Sequence, residues 1–127
     1  MNMESPHKSR SGWTRIINAL RYSITGLRSA FEHESAFRQE LALAAVLMVV
    51  ATGLPLTLTQ KAILALCVML VLITELINSA VEATVDRISL DNHPLAKRAK
   101  DVCSAAVFLS LVNCALVWTL VIVDAMW

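Results

Sequence analysis

The chain has 127 residues, a formal net charge of +1, 57% hydrophobic residues and only 17% charged ones. Soluble domains average roughly 45–50% apolar and about 25% charged residues, so this composition argues against an ordinary water-soluble fold and for a membrane protein. A charge balance so close to zero carries no argument for nucleic acid, and none is expected as a partner.

In chain order, the first element is an amphipathic helix. Trp13, Ile16, Ile17, Leu20, Ile24, Leu27 and Phe31 follow one another at offsets of 3, 1, 3, 4, 3 and 4, which draws one apolar stripe along a helix, with Arg15, Arg21 and Arg28 off it. The spacing predicts a helix over residues 11–33 lying in the headgroup plane, its stripe toward the acyl chains and its arginines among anionic lipids. Packing of the stripe on the rest of the protein is the alternative.

Between Glu40 and Lys61 stand 20 uncharged residues, enough at about 1.5 Å per residue to cross a hydrocarbon core of about 30 Å. Gly53 and Pro55 fall inside that run, so a first spanning helix is expected over residues 36–53, closing in a tight turn. The next uncharged run, residues 62–74, has only 13 positions. A helix over residues 57–88 accommodates it if Lys61 extends its ammonium to one interface and a polar continuation emerges at the other. Residues 102–123 form a third run of 22 uncharged positions, inside a helix expected over residues 97–124, with Trp118 and Trp127 near one interface. The SLDNHP stretch, residues 89–94, is the loop signal between the last two helices.

The fold class is therefore an all-α membrane protein of one domain, residues 1–127, with three transmembrane helices and a surface helix. Lys8, Arg10, Arg15, Arg21, Arg28 and Arg38 precede the first span, and Arg87, Lys97, Arg98 and Lys100 lie between the second and third, against Lys61 alone on the opposite side. That bias puts the N-terminus and the second loop in the cytoplasm and the C-terminus outside. The long apolar runs begin too far in for a cleavable leader, so the chain is expected to be used uncut. Cys67, Cys103 and Cys114 lie in or beside apolar runs and read as small buried hydrophobes, neither disulfides nor metal ligands.

The chemistry gathers at the far end of the second span. In ELINSAVEATVD, Glu75, Asn78, Glu82 and Asp86 recur at offsets of 3, 4 and 4 and share one helix face. An ionised, unpaired carboxylate at membrane depth costs about 2.5–3.5 kcal/mol, so several on one face require a reason. A solvated helix end, a cation or proton pathway, and a metal-bearing site are the three alternatives. Glu34, flanked by Glu32 and His33, and then Arg38, Gln39 and Glu40 reach the same membrane level from the first span, and Lys97, Arg98, Lys100 and Asp101 reach it from the third. Carboxylates suit a hard divalent cation and the basic groups suit phosphate, which is the make-up of a phosphoryl-transfer site. Gly12, Gly26 and Gly53 are the only glycines, so neither GxxxxGK[ST] nor GxGxxG can be built, and any nucleotide site is made of helix side chains. His7, His33 and His93 have no paired metal spacing and are expected to be exposed at the interface.

GWTRIINALRYSITGLRSAFEHESAFRQE, ELINSAVEATVDR and HPLAKRAKDVCSAAV together resemble the small integral-membrane diacylglycerol kinases of bacteria, over residues 12–118. The resemblance implies an ATP-dependent enzyme of the bacterial inner membrane that phosphorylates the hydroxyl of diacylglycerol to give phosphatidate, with Mg2+ as cofactor. It implies a homotrimeric helical bundle with sites shared between subunits. Position by position, Glu75 matches the family's general base, and Glu34 and Glu82 its magnesium ligands. Asn78 and Asp86 match supporting positions in the stripe. Arg15, Tyr22, Lys100 and Asp101 match nucleotide contacts, as do Asp91, Asn92 and His93 in the loop, although Asn92 stands where tyrosine is common and Pro94 follows His93. Ala36, Phe37, Arg38, Gln39, Glu40 and Ser104 match the lipid-contacting region, with Arg15 and Glu75 also facing substrate. A sister branch phosphorylates undecaprenol and shares an HPLAK-type stretch, and a small oligomeric cation or proton carrier is the alternative from another class.

Overall fold

The computed structural model describes residues 12–127, which form four helices and, among these residues, no strand: α1 Gly12–His33, α2 Ser35–Gly53, α3 Leu58–Ile88 and α4 Pro94–Met126. Lys8, Arg10 and His7, counted above for orientation and metal spacing, lie outside the described residues. Three of the helices, α2, α3 and α4, are long and apolar enough to cross a membrane.

Each boundary has a local cause. A single extended residue, Glu34, at φ −114° and ψ 105°, separates α1 from α2. Arg38 of α2 reaches back across this joint, its Nη1 donating to the carbonyls of Phe31 at 2.8 Å and Glu32 at 3.2 Å. A guanidinium thus meets the otherwise unpartnered carbonyls and negative dipole end of α1, which fixes the angle at which α1 leaves the bundle. The α2 helix stops at Gly53, ahead of Pro55. Thr57 then starts α3 with a capping box, its Oγ1 accepting from Gln60 N at 3.2 Å while Gln60 Oε1 accepts from Thr57 N at 2.9 Å. Lys61 bridges the same turn by donating to the Thr52 carbonyl at 3.0 Å.

The fourth helix begins at Pro94, earlier than the expected start at residue 97. The reason is His93, whose Nδ1 accepts from Leu95 N at 3.1 Å and caps the helix, with proline at the first helical turn where no amide donor is needed.

The central helix is α3, which packs most extensively on α4 and next on α2. Its 31 residues run about 46 Å, well beyond a hydrocarbon core of about 30 Å, so one end must emerge from the lipid. The core joins Ala44 and Ala51 of α2 to Leu64, Cys67 and Val68 of α3 and Trp118 of α4. Trp118 is turned inward, and its Nε1 donates to the Leu64 carbonyl at 3.3 Å. A buried indole N–H requires an acceptor, and this one also pins α4 to α3. The three cysteines are free; Cys67 is buried and the other two half-buried. The α1 stripe, by contrast, remains open: Trp13 is 73% exposed, and Ile16, Leu20 and Ile24 are also uncovered.

Candidate functional site

Along α3 the polar stripe passes from buried to open. Glu75 is 5% exposed and Asn78 9%, Glu82 is half-buried and Asp86 is exposed. Helical geometry explains the gradient: seven residues, or about 10.5 Å, separate Glu75 from Glu82, the length over which α3 leaves the three-helix contact. Asn78 Nδ2 donates to Glu82 Oε1 at 3.3 Å and so couples two members of the stripe.

Two helices, α2 and α3, and the joint before α2 bring carboxylates to this place. Glu34, half-buried at the joint of α1 and α2, and Glu82 both lie within electrostatic range of Glu75. Glu40, little more than a turn and a half further along α2, is also within range of Glu75, and its Oε2 is buried with no hydrogen-bond partner. The sequence placed Glu40 at the same membrane level as the α3 stripe and in the lipid-contacting stretch; its approach to Glu75 itself is decided by the packing of α2 on α3.

A divalent cation would find hard oxygen donors here. Among the described residues no three acidic, histidine or cysteine side chains stand close enough to enclose a metal by themselves. Magnesium does not require such a cage, since it commonly keeps several waters and takes one or two carboxylates together with substrate phosphates. Asn78 Oδ1 is buried without a partner beside Glu82, a further oxygen at the same level. The donor set of Glu34 and Glu82 fits magnesium on these terms.

Where α3 ends and α4 begins, a second feature opens. A cavity of about 600 Å³ is lined by Asp86, Asp91, Asn92, His93, Lys97 and Lys100, among others. The chain reversal at Ser89, whose Oγ accepts from Asp91 N at 3.0 Å, folds the loop over this space. Lys100 Nζ lies 2.6 Å from Asp86 Oδ1, and Lys97 pairs with Asp101 along the outside of α4. The sequence-derived nucleotide positions Asp91, Asn92, His93 and Lys100 therefore share one cavity, whereas Asp101 is not on its wall.

Other expected contacts lie elsewhere. Arg15 and Tyr22 are on the open part of α1 and line neither this cavity nor the carboxylate cluster. Of the lipid-contacting stretch, Phe37 is buried, Arg38 is engaged at the α1 terminus, and Ala36, Gln39 and Ser104 are exposed. A groove of about 790 Å³ between α1 and α3, walled by small side chains such as Gly26, Ala30, Ser79 and Ala83, leads to Glu34. The sequence marked Ser79, Ala80 and Ala83 as close-packing residues; the structure uses them to make this groove.

Comparison with known proteins identifies the family. The sequence profile of the prokaryotic diacylglycerol kinase family matches residues 21–122. A diacylglycerol kinase of Pseudomonas aeruginosa is 46% identical over 118 residues, covering 93% of this chain and 96% of its own length. The diacylglycerol kinase of Escherichia coli K12 is 43% identical over 112 residues, covering 88% and 92%. That of Haemophilus influenzae is 44% identical over 108 residues, covering 85% and 92%. A profile match across most of the chain, relatives above two-fifths identity along nearly their whole length, and three helices able to span a bilayer lead to one assignment: the chain is a multi-pass membrane protein and belongs to the prokaryotic diacylglycerol kinase family.

Proposed function

We propose that this protein transfers the γ-phosphate of MgATP to the free hydroxyl of diacylglycerol, giving phosphatidate and ADP, with Glu75 as the general base. The observation that carries the reading is the position of Glu75: a carboxylate 5% exposed on a spanning helix, yet within range of Glu34 and Glu82 on a face that runs out to the Lys100 cavity. A lipid hydroxyl held at the headgroup boundary and a water-borne nucleotide can meet only at such a place.

The neutral hydroxyl of diacylglycerol is a poor nucleophile until its proton leaves. Glu75 accepts that proton as the hydroxyl oxygen forms its bond to the γ-phosphorus and the bond to ADP breaks. Burial strips competing water from Glu75, while Asn78 and Glu82 hold the adjacent face in place. Glu34 and Glu82 would hold magnesium, which would offset the negative charge that develops on the transferred phosphoryl group. Lys100, with Asp91, Asn92 and His93 around it, receives the nucleotide. The groove between α1 and α3 admits the lipid beside Glu34.

Arg15 stands 19 residues before Glu34 on α1, about 28 Å away along the helix axis, too far to share a ligand with it inside one chain. This supports an oligomer in which a neighbouring copy completes each site, and the resemblance gives its number as three. The basic residues around α1 and the loop between α3 and α4 support a site facing the cytoplasm at the inner membrane, with the C-terminus outside.

The test is direct: purified protein in vesicles receives ATP labelled on its γ-phosphate with diacylglycerol, with undecaprenol, or with neither. Label entering phosphatidate, and its loss in Glu75→Gln, is the expected result. Turnover near the unsubstituted level in Glu75→Gln would overturn the base assignment, and preference for undecaprenol would move the protein to the sister activity. The carrier alternative predicts cation flux without ATP; it is disfavoured because the carboxylates cluster toward one end of α3.

A further inference from the structure

One residue before Glu75, a pair of hydroxyls ties α3 to α4. Thr74 Oγ1 lies 2.9 Å from Ser110 Oγ, and Ser110 Oγ lies 2.7 Å from the Val107 carbonyl. Each hydroxyl carries one proton and two acceptor lone pairs, and each also lies near carbonyls of its own helix, so either one donates across the contact while the other accepts. Ser110 is 4% exposed and Thr74 half-buried, which removes solvent as a competitor.

The direction of this contact determines where Glu75 points. Successive residues on a helix are about 100° apart, so with Thr74 held against α4, Glu75 is turned by that angle toward the side carrying Glu34 and Glu40. Between apolar helices in lipid there is little hydrophobic preference for one rotation over another, and a directional hydrogen bond supplies it. Packing at the same level is tight: Leu111, the neighbour of Ser110, and Cys114 close a small void beside Glu40 together with Val68 and Val71 of α3. Rotation of α3 would carry Glu75 away from Glu34 and Glu40, which belong to the joint before α2 and to α2 itself.

We propose that Thr74 and Ser110 are positioning residues for the Glu75 carboxylate, setting the rotation of α3 on α4 so that this carboxylate meets the lipid hydroxyl. The role rests on the reading of Glu75 as the base, and neither hydroxyl touches the reacting atoms. The pair is also removable without orphaning a polar group. Thr74 Oγ1 lies 3.0 Å from the Leu70 carbonyl and 2.9 Å from that of Val71, so it stays satisfied when Ser110 is truncated. Ser110→Ala therefore folds.

Steady-state kinetics of the full-length protein in phosphatidylcholine vesicles carrying diacylglycerol test the role, using Ser110→Ala, Thr74→Val, Thr74→Ser and Glu75→Gln. Ser110→Ala and Thr74→Val are expected to lower kcat about tenfold with KM for MgATP unchanged, the signature of a misaimed base as opposed to weakened binding. Thr74→Ser keeps the hydroxyl and restores kcat. Unchanged kcat in Ser110→Ala, or equal impairment in Thr74→Ser and Thr74→Val, overturns the positioning role; if Thr74→Val unfolds, Ser110→Ala alone decides. An inert Glu75→Gln beside a fully active Ser110→Ala removes only the positioning role, whereas an active Glu75→Gln removes the base assignment and the positioning role with it.

Discussion

Lys100 Nζ lies 2.6 Å from Asp86 Oδ1, joining the first turns of α4 to the polar end of α3. Both side chains keep roughly two-fifths of their surface open, so water screens the pair and it adds little to stability. Its value lies in placement, since the contact holds an ammonium on the wall of the loop cavity and within range of Glu82.

Lys100→Met is accordingly expected to raise KM for MgATP by about tenfold, the typical loss of one hydrogen bond to a charged group. Thermal unfolding should scarcely change. Kinetics at varied MgATP check this, and an unchanged KM would take Lys100 out of nucleotide binding.

Replacing Glu34 or Glu82 by Gln keeps the shape and removes one anionic oxygen from the candidate metal position. The magnesium concentration for half-maximal turnover should rise roughly tenfold or more in each. A chelator should stop the reaction in the unsubstituted protein. Titration of turnover with magnesium at fixed ATP measures both, and an unaltered magnesium requirement in the two variants would withdraw them as ligands.

Leu64 is fully buried where α2, α3 and α4 meet. Leu64→Ala should cost about 2–5 kcal/mol by leaving a cavity that three packed helices cannot refill. Trp118→Phe, which deletes the bond to the Leu64 carbonyl, should cost less, about 0.6 kcal/mol for the hydrogen bond itself. Denaturant unfolding in mixed micelles ranks the two.

The open stripe of α1 predicts contact with lipid. In a variant whose sole tryptophan is Trp13, lipids brominated near the headgroup should quench its fluorescence strongly. Ile16→Glu together with Leu20→Glu should abolish most of that quenching. Quenching indifferent to these changes would mean that α1 packs on protein instead.

Helix identity was legible in the chain because it is a short-range property. The 3.6-residue periodicity draws the α1 stripe and the α3 row of Glu75, Asn78, Glu82 and Asp86, and run length marks the spans, before any partner is known. The resemblance carried by ELINSAVEATVDR and its neighbours named the candidate site residues, and the comparisons agree on the family. What only the tertiary structure decided is how those faces are aimed. The inward turn of Trp118 onto Leu64 links residues 54 positions apart, and the Thr74–Ser110 pair spans 36. Such contacts depend on the rotation of one helix against another, and apolar side chains surrounded by lipid give sequence patterns little power to specify it. The same holds for Arg38, which the sequence counted toward orientation and placed in the lipid-contacting stretch, and which the fold sets against the last carbonyls of α1.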